Sequence, residues 1–224
     1  MRESTPEIYV WDLPTRLFHW TLLLLIVFQW AGAEIGGNLM DYHMLGGYAV
    51  LALVLFRVVW GFAGSHYSRF ATFLRGIPAT LGYLKAMKTG TAERQLGHNP
   101  LGGWMILTLL TIVGALGISG LFANDDVMTE GPLMHLVSKD VSDLLTAVHH
   151  IGFNILLALV ALHVAAVYAH LLFKRENLLR PMFTGRKEAA PGEVVQNKIA
   201  SPFLALAILA LCGGAVAALV KFTA

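Results

Sequence analysis

The sequence predicts an all-α integral membrane protein, a four-helix bundle with a fifth transmembrane helix added at its C-terminus. Three observations predict it. Of the 224 residues, 56% are hydrophobic and only 13% are charged, against about 25% charged in a soluble domain. Mean hydropathy is +0.64. Five stretches reach the ~20 apolar residues that a helix needs to cross a bilayer, and the connections between them alternate between basic and acidic.

The five spans are Leu13–Ile35, Met44–Phe62, Leu101–Ala123, Leu144–Phe173 and Ile199–Phe222. Asp12 is a side-chain cap for the first, and Pro14 is tolerated in its first turn. Trp11, Trp20 and Trp30 suit the aromatic belts at the membrane interfaces. The N-terminus carries Glu3, Glu7 and Asp12 and lacks a basic segment followed by a small-residue cleavage site, so the first apolar run is expected to remain as a helix. The single cysteine, Cys212, excludes an internal disulfide and any multi-cysteine metal site. Set among Leu, Ala and Gly, it reads as a small packing residue.

The connections set the expected orientation. Residues 63–100 carry Arg69, Arg75, Lys85, Lys88 and Arg94 against Glu93 alone, and residues 174–198 are also rich in Lys and Arg. Residues 36–43 hold Asp41 and no base. Residues 124–143 hold Asp125, Asp126, Glu130, Asp140 and Asp143 against Lys139. Basic connections stay inside, which places the N-terminus inside and the C-terminus outside. Within 63–100, Phe70, Phe73, Leu74, Ile77, Leu81, Leu84 and Met87 recur at helical spacing among bases. This predicts an amphipathic helix on the inner surface, interrupted near Gly76-Ile77-Pro78. The expected organisation is a four-helix domain over 1–180, a cytoplasmic linker over 181–198 and the last helix over 199–224.

The fourth span carries the chemistry. It reads LLTAVHHIGFNILLALVALHVAAVYAHLLF, with four histidines and no Asp, Glu, Lys or Arg. Ionisable groups at membrane depth are costly and mark function. His149 and His163 are fourteen residues apart, nearly four turns, so both lie on one face roughly 21 Å apart along the axis. A haem iron held by two imidazoles needs one from each of two facing helices, and depth supplies the partners. His43, at the outer start of span two, matches His149. His19, on the inner side of span one, matches His163.

The ordinary explanations are an interfacial histidine for His19 and a loop histidine for His43. Gly46 follows His43 by three residues and Gly152 follows His149 by three, which would let a porphyrin approach both helices. His150 points about 100° from His149. His170 lies nearly on the His163 face and would bond a propionate or a quinone carbonyl, or be solvated. His66, His98 and His135 fall outside the pattern. Zinc would require its ligands in one local cluster, not in two distant pairs. Small residues in Gly114-Ala115-Leu116-Gly117-Ile118-Ser119-Gly120 serve either close helix packing or a flat macrocycle. Arg57 either snorkels to the inner interface or pairs with haem propionates, and Arg16 is a second propionate candidate.

The segments Trp11-Asp12-Leu13-Pro14-Thr15-Arg16-Leu17-Phe18-His19-Trp20, His43 with Gly46, Arg94-Gln95-Leu96-Gly97-His98-Asn99-Pro100-Leu101-Gly102-Gly103-Trp104, His149 and Leu162-His163 resemble the bacterial cytochrome b561 family, which includes the b-type cytochrome subunit of nickel–iron hydrogenases. The resemblance covers about residues 9–180. It implies a four-helix haem-binding bundle with two non-covalent b-type haems on His19, His43, His149 and His163, passing electrons between quinone and a periplasmic redox partner. Span five departs from the plain four-helix pattern.

The expected function is electron transfer across the cytoplasmic membrane, because bis-histidine ligation fills both axial positions of each iron. The expected partners are the membrane, quinone, and a periplasmic c-type cytochrome or hydrogenase-like redox subunit, with no nucleic acid. A quinone site is expected near His170 and Arg57, and the acidic 124–143 connection would face a basic partner. The competing readings are a superoxide- or ferric-directed oxidoreductase on the same scaffold, and a haem-free transporter using histidines as relays.

Overall fold

A computed structural model describes residues 7–37, 39–127, 129–188 and 198–223. Its elements, in chain order, are β1 (Glu7–Tyr9), α1 (Leu13–Ile35), α2 (Leu39–Ala63), α3 (Phe70–Phe73), α4 (Ile77–Lys88), α5 (Pro100–Gly120), α6 (Lys139–Phe173), α7 (Leu179–Thr184), β2 (Arg186–Glu188) and α8 (Pro202–Thr223). Five of the helices, α1, α2, α5, α6 and α8, are long and apolar enough to cross a membrane. Large apolar side chains such as Leu24, Ile151, Leu172 and Leu211 lie exposed on them, as lipid-facing helices require. At 35 residues, α6 is about 52 Å long. It outruns a hydrocarbon core of about 30 Å, so its polar first turn extends past the apolar run.

The chain forms two compact units. The first is drawn from Met1–Leu17, Val58–Thr108 and His163–Ala205. Here β1 pairs antiparallel with β2, Ile8 opposite Lys187. Gly185 makes the turn into β2 with φ +79°, and a Cβ there would lie 2.7 Å from the Trp11 carbonyl oxygen. That closeness lets the Val10 and Trp11 amides both donate to the Gly185 carbonyl. Ile8, Val10 and Trp11 form a small core with Tyr67, Leu96 and Met182 packed against it.

Asp12 caps α1 as its position suggested, and does more. Only 2% exposed, it accepts from the Thr15 amide at 2.8 Å, from Trp60 Nε1 at 3.1 Å and from Ser68 Oγ at 2.9 Å. One carboxylate thereby ties the start of α1 to the end of α2 and to the turn that follows it. The amphipathic segment breaks over residues 74–76, as expected. No residue of α4 is buried, and Ile77 and Leu81 stay exposed, so its apolar side is not spent on the protein's own core.

The expected linker is folded over its first part. Residues 179–188 form α7 and β2, because Lys187, 8% exposed, pairs with Glu176 at 2.6 Å and donates to the Gln95 carbonyl at 2.6 Å. Arg180 adds ion pairs to Glu7 and Glu188. Residues 189–197 lie outside the described residues.

The second unit is drawn from Phe18–Arg57, Leu109–Leu162 and Leu206–Ala224. Its core cluster holds Leu51, Leu121, Leu133 and Val216. Val216 belongs to α8, and Ile208 and Cys212 are buried on the same helix at four-residue intervals. The fifth helix is therefore packed into this unit along one face, not merely appended, and Cys212 is the packing residue it was expected to be. The acidic connection is folded back on Asn124, which donates to Ser142 Oγ and Asp143 Oδ1. Lys139 pairs with both Asp126 and Asp143 at 2.6 Å, so part of the acidic charge is neutralised within the loop.

Candidate functional site

The second unit brings His43 and His149 together. Gly36 and Gly37, with φ +66° and +58°, turn the chain sharply from α1 into α2. As a result α2 starts at Leu39, not at Met44, and His43 stands inside the helix and not in a loop. Its ring lies 6.1 Å from that of His149, centre to centre, with the planes inclined at 71°.

Each ring is held by the same device. His43 Nδ1 lies 2.9 Å from the Gln29 carbonyl oxygen, and His149 Nδ1 lies 2.9 Å from the Leu116 carbonyl oxygen. A carbonyl only accepts, so each Nδ1 carries a proton, which in the neutral ring leaves Nε2 with its lone pair. This is the tautomer that a metal-ligating imidazole needs, oriented by a backbone acceptor. Ser119 Oγ adds a contact to His149 Nδ1 at 3.3 Å. Gly120 makes room for the ring, since a Cβ there would stand 3.1 Å from His149 Cε1.

The ring separation is close to that of two imidazoles sharing one metal. A metal–imidazole bond of about 2.0 Å, plus about 1.1 Å from ring nitrogen to ring centre, gives about 6.2 Å for two imidazoles on one metal. The observed separation matches that distance. Among the described residues no three of His, Cys, Asp or Glu gather as a cation site.

The remaining candidates are placed individually. His19, half-buried on α1, meets Trp20 edge to face at 4.9 Å. His163 is half-buried on α6, the same unbroken helix as His149. His19 and His163 fall in different compact units. Arg57 is 3% exposed on α2, so it is inside the protein and does not snorkel. Arg16 donates through Nη1 to the Phe183 carbonyl and through Nη2 to Tyr9 Oη at 3.4 Å, which commits it to the fold around β1 and α7.

Protein side chains lie beside Gly46 and Gly152. The space beside Gly46 holds the Gln29 carboxamide, and the space beside Gly152 holds Leu116, 3.0 Å from where a Cβ would be. Each glycine thus makes room for a protein side chain. His150 is exposed beside His149. His170 Nδ1 bonds its own helix at Ala166, and its Nε2 lies 3.4 Å from Asn99 Nδ2. Asn99 in turn caps α5 through the Gly102 amide. The His98 ring packs against Trp11 at 4.4 Å and Phe73 at 4.9 Å.

Sequence reasoning missed Gln29 and the Leu116 carbonyl. Gln29 had a signal, an amide inside an apolar span. The carbonyl had none, because every residue carries one.

Comparison with known proteins gives a family. A family model described as prokaryotic cytochrome b561 matches residues 10–185. The chain is 29% identical over 224 residues to a probable Ni/Fe-hydrogenase B-type cytochrome subunit of Azotobacter vinelandii, covering 83% of this chain and 90% of that protein. It is 27% identical to a protein of the same description from Azotobacter chroococcum, with the same coverage. A third such protein, from Bradyrhizobium diazoefficiens, is 23% identical over 82% of this chain and 87% of that one.

Proposed function

Because the chain belongs to the prokaryotic cytochrome b561 family, and so is a membrane b-type cytochrome of electron transport, we propose that it carries electrons across the cytoplasmic membrane on two non-covalent haems, between the quinone pool and a periplasmic redox partner. The single observation that supports haem ligation is the His43–His149 pair. Its rings are 6.1 Å apart, and both Nδ1 atoms are spent on backbone carbonyls.

When bound, each haem supplies a one-electron ferric/ferrous couple. The protein supplies the ligands, their orientation and the surrounding charge. His43 and His149 are the axial pair nearer the acidic connections. His19 and His163 are the further ligands that the family resemblance implies. Arg57, buried on α2, is the candidate for a propionate contact. The quinone site is assigned to the basic side, where His170 presents an imidazole at the end of the same helix as His163.

Counting Lys and Arg puts the N-terminus in the cytoplasm and the C-terminus in the periplasm. The relatives' description as hydrogenase cytochrome subunits supports a hydrogenase-type subunit as partner. The exposed acidic surface around Asp140, in the first turn of α6, offers it, or a c-type cytochrome, a docking surface.

The test is haem counting in single-ligand variants. Purified His43→Ala and His163→Ala should each retain one haem of two, with different residual spectra. Loss of both haems, or of neither, in either variant overturns the pairing.

A further inference from the structure

Gln29 and His43 hold each other by two reciprocal hydrogen bonds. The His43 imidazole donates from Nδ1 to the Gln29 main-chain carbonyl at 2.9 Å. The Gln29 carboxamide donates from Nε2 to the His43 main-chain carbonyl at 2.6 Å. The identity of the amide atoms follows from the partner, since a carbonyl cannot donate. Two bonds between the same two residues, one from each side chain, fix both the contact of α1 with α2 and the rotation of the ring.

The amide is held at a cost. Gln29 Oε1 is buried with no hydrogen-bond partner among the described residues, an arrangement that is unfavourable on its own. Room for the amide comes from Gly46, one turn after His43. A Cβ on Gly46 would approach Gln29 Cδ to 3.0 Å and Oε1 more closely still. Gln29, His43 and Gly46 therefore form one device.

We propose that Gln29 is a positioning residue for the His43 ligand, with Gly46 as the slot that admits it, and that the device sets the steep angle between the two axial imidazoles. The inference rests on the two-haem reading above. The His149 ring has its own fixed acceptor on α5, so the 71° between the planes is the difference between two independently anchored rings. The Gln29 side chain acts on the ring indirectly: it holds the contact of α1 with α2 that presents the Gln29 carbonyl to Nδ1, so loosening that contact lets one ring rotate. In a low-spin ferric haem with two imidazoles, the anisotropy of the electron paramagnetic resonance signal follows the angle between their planes. Steeply crossed planes give a strongly anisotropic signal, and near-parallel planes give a more rhombic one. Outer partners of ligating histidines also tune the metal.

The experiment uses the purified full-length protein and three variants: Gln29→Ala, Gly46→Ala and the double variant. Each is measured for haem content, for the ferric resonance spectrum and for midpoint potentials. The wild type should show a strongly anisotropic low-spin signal from the His43/His149 haem. Gln29→Ala and Gly46→Ala should each keep two haems and change that signal and one of the two potentials, leaving the other haem's untouched. In the double variant the two effects should not add, because Gly46→Ala acts by displacing an amide that is then already gone.

Two haems with unchanged signal and potentials in both single variants would overturn the positioning role. Additive effects would overturn the slot role of Gly46. Fewer than two haems in the wild type would instead refute the reading beneath it. Should Gln29→Ala fail to accumulate, Gln29→Glu removes the Nε2 donor while keeping the side-chain shape, and is read in the same way.

Discussion

Replacing Asp12 by alanine should destabilise the protein by about 2–5 kcal/mol. The carboxylate is 2% exposed and receives hydrogen bonds from the Thr15 amide, Trp60 Nε1 and Ser68 Oγ. Loss of the helix cap alone costs about 1 kcal/mol. Withdrawing the acceptor from Trp60 Nε1, a fully buried indole, adds about 1–3 kcal/mol. Ser68 loses less, because Thr15 Oγ1 remains 2.8 Å away. Asp12→Asn keeps one acceptor oxygen but turns an amide donor toward existing donors, so it should fall between wild type and alanine. The assay is reversible unfolding in mixed micelles followed by tryptophan fluorescence. An Asp12→Ala variant within 0.5 kcal/mol of wild type, a difference typical of a neutral surface change, would refute the claim that this carboxylate organises the first unit.

Other consequences are open to measurement. Gly120→Ala should lower the haem content from two toward one per chain, because the new Cβ would press on the His149 ring at 3.1 Å; pyridine haemochrome assay reads it. Glu176→Gln should strip the buried Lys187 of its half-buried counter-ion at a cost of about 1–3 kcal/mol, seen as a lower unfolding midpoint and faster proteolysis in residues 91–98. Gly185→Ala, at φ +79° and 2.7 Å from the Trp11 carbonyl, should cost at least the 1–2 kcal/mol of a left-handed non-glycine residue, read in the same unfolding assay. Alkaline phosphatase fused after the last residue should be active in cells, and inactive if the C-terminus is cytoplasmic.

Much of this architecture was legible because membranes impose simple rules. A bilayer demands about 20 apolar residues per helix, and α1 spans the expected Leu13–Ile35. Charge alternation marked the connections, and fourteen-residue spacing put His149 and His163 on one face of a helix that runs unbroken through both. The details that escaped depend on residues far apart in sequence. Lys187 orders β2 only because Glu176 and the Gln95 carbonyl lie beside it, which no local pattern shows. The glycines following His43 and His149 were legible as places of close approach, but not as to what approaches. At Gly46 it is the Gln29 amide and at Gly152 it is Leu116. The acceptors that orient both imidazoles are main-chain carbonyls, and these leave no trace in residue identity.

The most direct test of the central claim is a potentiometric titration of the purified wild-type protein, followed in the visible haem bands and normalised to haem per chain. Two haems per chain, oxidised and reduced in two one-electron steps, is the predicted result. A single haem with one step, or no haem at all in protein isolated from haem-replete cells, would contradict it.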